Sequence, residues 1–470
     1  MASYRDSPPS ETTPLISRPF ERKDANYERF SFWRKQAILL TVCGCCLLNL
    51  FTACSFSSTI PQIANEFNTT GGVVNISVGL FLFTTAAGSL FWARYSAYYG
   101  RQPIYVVSLP LYIFASLGVA SCRTVPELMV YRTLQAFGSA GFQSLGAAVI
   151  ADIFKLEERG RAMAIYGCFA LLGPALAPFI GGLMSEQISW RFMQAFLGLI
   201  GLMALVIIIT CLPETMHPGT RGMDKVDVET EKKGHLIVLL NPFSPLALMK
   251  SPVLSLTTIA SGVVVITQYV ILLPLAYTIA QRYGIENKAL VGALFLPYGL
   301  GNIIGMPISG WLSDSAVKSW RIMRGGKWVP EDRLRATWHG SLYIVPLATM
   351  ALGLVIQFVD GMWGIWMSMV LLLVHGIGMC LVISPCSTYN VDAMQDRSAE
   401  AVAAKNATRT ALVSTFVFAI FPAIELMGVA WTNIVAAIFA WIGFGLIQIC
   451  IRYGAPMRAW SSVPHTDGTH

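Results

Sequence analysis

Twelve stretches of this chain are apolar for about 20 residues each, the length a helix needs to cross a bilayer core about 30 Å thick. They fall near 36–58, 73–94, 103–121, 126–152, 162–184, 189–212, 252–281, 288–313, 337–358, 364–388, 406–427 and 430–452. Backbone amides in lipid must pair within their own segment, so each stretch is predicted to be an α-helix and the chain an all-α membrane protein. Charge supports this. Only 13% of the residues are charged, where a soluble domain carries roughly a quarter.

The basic residues fix the orientation. With the N-terminus in the cytosol, the cytosolic segments together with the cytosolic ends of the spans hold 28 of the 33 Lys and Arg residues. Arg123, Arg191, Arg282 and Lys288 fall on the opposite side, and Arg132 falls inside a span. The net charge of +7 is thereby explained by the membrane, and no nucleic-acid-binding signature is present. Most cysteines, among them Cys43, Cys45, Cys46, Cys54, Cys168, Cys380, Cys386 and Cys450, sit in apolar spans as small hydrophobes, with no metal-ligand spacing. No Walker-type phosphate loop and no clustered catalytic set of His, Asp or Glu occurs, so neither ATP drive nor an enzyme is expected, nor any cofactor.

Six spans precede a polar segment and six follow it. The expected organisation is a disordered cytosolic tail over 1–35, a six-helix bundle over 36–212, a cytosolic linker over 213–251, a second bundle over 252–453, and a tail over 454–470. The tail contains Glu11-Thr-Thr-Pro-Leu15-Ile16, an acidic dileucine-like pattern that fits a vacuolar as well as a cell-membrane location. Two sequons, at Asn68 and Asn75, lie on the outer side and are expected to be glycosylated. The halves share a faint echo: Arg132, Gln135, Gly138 and Asp152 of span 4, shifted by 240 residues, become Leu372, His375, Gly378 and Asp392 of span 10. Two halves of this kind point to alternating access about a central site.

Polar residues inside the spans are the candidate pathway. Arg132 lies about 9 Å into span 4 and His375 about 16 Å into span 10. A buried arginine is costly and calls for a cavity or a partner, and histidine titrates near neutral pH, so His375 is the candidate for proton exchange. Asn49, Gln268, Tyr269 and Asn302 lie at mid-depth, and Arg409 lies about one turn into span 11 at the cytosolic mouth. No carboxylate lies at mid-depth, which favours neutral or anionic solutes over cations.

Several segments resemble the major facilitator superfamily, nearest to the fungal twelve-spanner drug:proton antiporters. Ala93-Arg-Tyr-Ser-Ala-Tyr-Tyr-Gly100-Arg101-Gln-Pro103 resembles the family's G-x-L-a-D-r-x-G-R-r-P loop, with Ala97 in place of its aspartate. Gly310-Trp-Leu-Ser-Asp314 keeps that aspartate in the second half, and Pro330-Glu-Asp-Arg333-Leu is similar to a P-E-x-R-L element. Arg132-Thr-Leu-Gln135-Ala-Phe-Gly138 is similar to R-x-x-q-G, and Gly173-Pro174-Ala-Leu-Ala-Pro178-Phe-Ile-Gly181-Gly182 to the antiporter G-P-x-x-G-G, with a longer spacer; Trp190-Arg191 follows as the family's W-R. The resemblance implies the twelve-helix, two-bundle fold and a role for Arg132 in proton coupling. It also implies a latch in which Gly100 and Arg101 face a carboxylate such as Asp152, with Asp314 as its counterpart, and a bundle interface at Gly173, Pro174, Gly181 and Gly182. The function it implies is proton-linked or facilitative export of a small organic solute by a monomer in the cell or vacuolar membrane. Organic acids are favoured over drugs and polyamines, and a non-transporting receptor of the same fold is the remote alternative.

Overall fold

The computed structural model describes residues 29–217, 219, 221–225, 240–327, 329–394 and 398–461. Most of the predicted tail, the dileucine-like pattern and most of the linker's charged residues lie outside that set. In the first half, α1 (Phe32–Ser55), α2 (Ile60–Glu66), α3 (Gly71–Tyr99), α4 (Arg101–Ser121), α5 (Val125–Ser139), α6 (Gly141–Ile153), α7 (Leu156–Gln187) and α8 (Trp190–Cys211) follow one another. The second half holds α9 (Pro252–Leu272), α10 (Leu275–Arg282), α11 (Lys288–Ala293), α12 (Leu296–Met323), α13 (Val345–Phe358), α14 (Gly361–Ala393) and α15 (Ser398–Ser461).

Short polar caps start the helices on the outer side. Thr124 Oγ1 accepts from Glu127 N, Ser189 Oγ from Phe192 N, and Asn287 Oδ1 from Ala289 N and Leu290 N. Eleven helical stretches among the described residues are long and apolar enough to span a bilayer, and the last runs over Glu400–Ala459. At 60 residues that stretch is long enough for two crossings with several turns to spare. It folds back at Gly428 (φ 80°), so that Phe416 and Phe439, nearly equidistant from it, meet edge to face at 5.7 Å between ring centroids. The hairpin supplies two crossings, and the chain makes the twelve that its hydropathy predicts.

Each half has its own apolar core. One cluster joins Val42, Cys46, Tyr105, Tyr112, Phe142 and Leu197, and another joins Val264, Phe295, Leu352, Val382 and Ile447. A third cluster crosses between the halves near the outer face, with Phe56, Ile60, Val78 and Trp190 against Val270, Val417, Ile420 and Phe421. The halves meet through α3 against α15, and through α7 against α11 and α12. Small residues permit the second contact. A Cβ on Gly292 would lie 2.6 Å from Pro178 O, and one on Gly182 would collide with Lys288 O, so the backbones can approach this closely only without side chains. Among the described residues, the hydrogen bonds joining the halves run from Asn75 Nδ2 to Val417 O (2.8 Å), Ser414 Oγ to Gly79 O (2.9 Å), Lys288 N to Glu186 Oε2 (3.1 Å) and Lys288 Nζ to Ser185 O (3.5 Å). All lie from mid-membrane outward. The outer side of the seam is closed.

Candidate functional site

The seam between the halves encloses a narrow cavity lined by Cys54 and Ser57 of the first span, Pro174 and Pro178 of α7, Gln268, Tyr269 and Leu272 of α9, and Leu273 and Phe295. Its free volume is about 20 Å³, room for a single water, against the few hundred Å³ of a solute-sized site. Gln268 and Tyr269 of α9 line it from the second half.

Arg132 and His375 do not share that cavity, which corrects the expectation that they do. Arg132 is fully buried inside the first half: its guanidinium carbon lies 4.2 Å from the ring centroid of Phe56 and 4.3 Å from that of Phe81. Its Nη1 donates to Gln135 Oε1 (2.9 Å) and Thr52 O (3.4 Å), and Gln135 Nε2 donates to Ser116 Oγ and to Gln194 Oε1. Aromatic faces and amides thus solvate the cation. The reason for the miss is orientation. Depth along a helix says nothing of which way a side chain turns.

His375 is equally enclosed, in the second half. Its Nε2 is 3.0 Å from Thr267 Oγ1 of α9, and its ring lies 5.9 Å from that of Tyr298. Asn302 packs nearby, where Cys380 Sγ donates to its carbonyl at 3.3 Å, and Asn49 is buried within α1. His375 and Asn302 thus tie helices within the second half, and the Asn49 Oδ1 is buried without a hydrogen-bond partner. Arg409 lies against α9 at Gly262, and Lys405, one turn nearer the cytosol, donates from Nζ to Ser387 Oγ at 2.8 Å. The sequence counts Lys405 only among the cytosolic positive charges; its burial at 3% exposure is a structural finding.

The inner ends of both halves carry matched ion pairs. Arg101 Nε meets Asp152 Oδ2 at 3.0 Å, and Arg333 Nε meets Asp392 Oδ2 at 2.5 Å with Nη1 3.2 Å from Asp314 Oδ1. The aspartate echo between spans 4 and 10 is thus an echo of arginine pairing. Where Ala97 removes the loop aspartate, Glu214 from the segment after α8 accepts from Arg101 N (3.1 Å) and Gln102 N (3.3 Å), capping α4 with a negative charge. Gly100 (φ 107°) makes the turn, and a Cβ there would run into the Glu214 carboxylate. Glu214 escapes a motif search because it lies more than a hundred residues from the loop it completes.

On the outer face Glu66 receives Trp190 Nε1 (2.5 Å) and Arg191 Nη2 (2.7 Å), while Arg191 Nη1 also caps the carbonyls of Ala120 and Cys122. Partial burial pushes the Glu66 carboxyl up, but the Trp190 and Arg191 hydrogen bonds outweigh it and hold the group below the usual carboxylate range. Asn68 is exposed in the following turn (φ 47°), which suits a glycan acceptor. Asn75 does not suit one: it is 1% exposed within α3 with its amide nitrogen bonded across the seam. The second sequon is a helix-seam residue, a correction of the sequence expectation.

A sequence model of the Major Facilitator Superfamily matches residues 42–408. The efflux pump radE of Floropilus chiversii is 26% identical over 423 residues, covering 86% of this chain and 77% of that protein. Citrate exporter 1 of Aspergillus niger is 26% identical over 299 residues, covering 59% and 57%. The fold also matches a solved bacterial homologue of the human lysosomal transporter Spinster in an inward-facing, unoccupied conformation, with a TM-score of 0.68, 15% identity, and 91% of this chain and 99% of that one covered.

Proposed function

The chain belongs to the Major Facilitator Superfamily, and from that premise we propose that this multi-pass membrane transporter exports a small organic acid, a di- or tricarboxylate, by alternating access. Residues 36–212 and 252–453 are the two bodies that rock, a monomer is the working unit, and the cell membrane is the site of action. The paired arginines Arg101 and Arg333 hold the inner ends of each body, and α7 forms the hinge face against α11 and α12 at Ala175, Pro178 and Gly182, while Gly173 and Gly181, expected at the bundle interface, pack against α1 and α8 of their own half.

One observation carries the substrate class: the inner mouth of the second half has a buried ammonium, Lys405, with the half-buried Arg409 beside it, while the acidic residues of the helices sit toward their ends, among them Asp152, Asp314 and Asp392 inside and Glu127, Glu186 and Glu425 outside. An interior of that polarity attracts anions and repels cationic drugs. Of the relatives, one is named a citrate exporter and others efflux pumps. The apolar lining of the seam cavity (Leu272, Leu273, Phe295, Pro174 and Pro178) favours a second reading, efflux of an apolar metabolite or drug by proton antiport.

Uptake into proteoliposomes of the full chain separates them. A panel of citrate, other di- and tricarboxylates, and neutral and cationic drugs is offered with and without a pH gradient. Saturable carboxylate transport is the expected result, and transport of drugs alone overturns the acid reading. The pH-gradient arm divides proton antiport from facilitated exit. In that arm His375→Gln is expected to leave the pH dependence in place, since the imidazole is buried against Thr267 and the ring of Tyr298; a lost pH dependence would restore it as the exchanging group.

A further inference from the structure

Lys405 and Arg409 are one helical turn apart on α15, and neither has a counter-charge among the described residues. Lys405 is 3% exposed, and its Nζ makes one hydrogen bond, to Ser387 Oγ of α14. An ammonium carries three donors, so two remain. Arg409 lies one turn deeper, its stem 3.6 Å from where a Cβ on Gly262 of α9 would stand. Among the described residues no carboxylate pairs with either side chain. The groups that face them from the packed helices are Ser387 and Cys386 of α14 and Tyr269 of α9.

Two ordinary explanations fail. Anchoring at the cytosolic interface needs the ammonium in water or among headgroups, and Lys405 is enclosed by protein. Helix stabilisation fails because like charges at i and i+4 repel. A buried ammonium beside a half-buried guanidinium of like charge is costly, and the cost falls when an anion lies between them. Their position also gives that anion somewhere to go, since Arg409 faces Tyr269, which lines the cavity in the seam. Ser387, Lys405, Arg409 and Tyr269 thus form a line of donors from the inner mouth toward the closed outer end.

We propose that Lys405 and Arg409, with Ser387, form a cytosol-facing anion site that takes one carboxylate group of the outgoing solute before it reaches the seam cavity. The arginine supplies a planar fork for the two carboxylate oxygens, and the lysine a point charge beside it. The site rests on the organic-acid reading above, and the test keeps the two apart.

Citrate is the probe, and the protein is the full chain, measured for transport in proteoliposomes and for citrate-dependent protection against thermal unfolding in detergent. Lys405→Met and Arg409→Gln are each expected to raise half-saturating citrate about tenfold or more, while Lys405→Arg stays within a few-fold of the original. Methionine keeps the length and apolar stem of lysine, so Lys405→Met is expected to fold, and Arg409→Gln tests the site independently if it does not. Unchanged citrate affinity in both neutral variants overturns the site and leaves the acid reading standing. Citrate that binds through Lys405 but is not transported supports the site and sinks the acid reading. A chain that neither binds nor transports any carboxylate overturns both.

Discussion

The two halves handle buried positive charge in opposite ways. In the first, Arg132 is wrapped by Phe56, Phe81, Gln135 and the carbonyl of Thr52, and Gln135 passes the hydrogen bonding on to Ser116 and Gln194. In the second, Lys405 has one hydroxyl, and Arg409 faces a tyrosine at the seam. The first cation is enclosed within its own half, between two rings and on two hydrogen bonds from Nη1, with Nε and Nη2 buried without a hydrogen-bond partner. The second pair, a buried ammonium with one hydrogen bond and a half-buried guanidinium, borders the path between the halves. A charge within a membrane helix marks function only after its surroundings have been read, because a cation enclosed between the rings of its own bundle is part of the scaffold however improbable it looks in the sequence.

The largest expected effect would break this contrast directly. Arg132→Ala empties a fully buried site and orphans Gln135, at a cost of about 3 kcal/mol or more in stability. Folded yield and the unfolding midpoint in detergent should drop sharply, and Arg132→Lys should not restore them, since an ammonium cannot lie flat between two rings. If Arg132→Ala folds normally and loses only carboxylate transport, the two cations belong to one pathway and the contrast is wrong.

The inner ion pairs sharpen it next. Arg333 neutralises both Asp392 and Asp314, whereas Arg101 shares its end of the helix with the Glu214 cap. Arg333→Ala leaves two carboxylates facing each other, so it should reduce transport more than Arg101→Ala, by a factor of a few given the partial exposure of these pairs. Equal losses would mean that Glu214 adds nothing to the first half.

A smaller effect is expected at the outer seam. Asn75→Leu removes one interhelical hydrogen bond, worth about 0.6 kcal/mol, and should shift the balance toward outward opening roughly threefold, read from outer-side labelling of a cysteine placed near Gly79. In the same experiment Asn68→Gln should abolish any glycan mobility shift, and Asn75→Gln should leave it unchanged.

The smallest effect concerns Glu66. Because its carboxyl is held below the usual range in the folded protein, the anion favours the fold above the ordinary glutamate pKa, and this contribution fades as pH falls through the lowered value. Glu66→Gln should therefore lower the unfolding midpoint at neutral pH, and the gap to the original chain should close in acid. A gap that widens in acid would mean that the Trp190–Arg191 clasp does not hold the carboxylate.

How much of this was legible in the sequence depended on whether the controlling contact was local. The spans follow from runs of apolar residues, and the pairing of Arg101 with Asp152 follows from a motif and a spacing. The aspartate echo at Asp152 and Asp392 was readable as a repeat, although its meaning, an arginine on each, was not, because Arg101 and Arg333 lie at different offsets from them. Three features were hidden for the same reason. Glu214 acts on a loop far up the chain, Asn75 bonds a carbonyl 342 residues away, and the facing of Arg132 is set by helices that its own segment does not name. A sequon pattern carries no information on burial, and this one coincides with a helix seam.

The hairpin at Gly428 has a mechanical consequence. Only one residue departs from helical geometry between the last two crossings, and Phe416 against Phe439 bolts their shafts together. There is no slack on the outer surface to absorb a tilt of one crossing alone. Any stroke that swings Lys405 and Arg409 must drag the final crossing through the lipid with them, so the moving part on that side is a pair of helices, and the surrounding bilayer is deformed across the width of two.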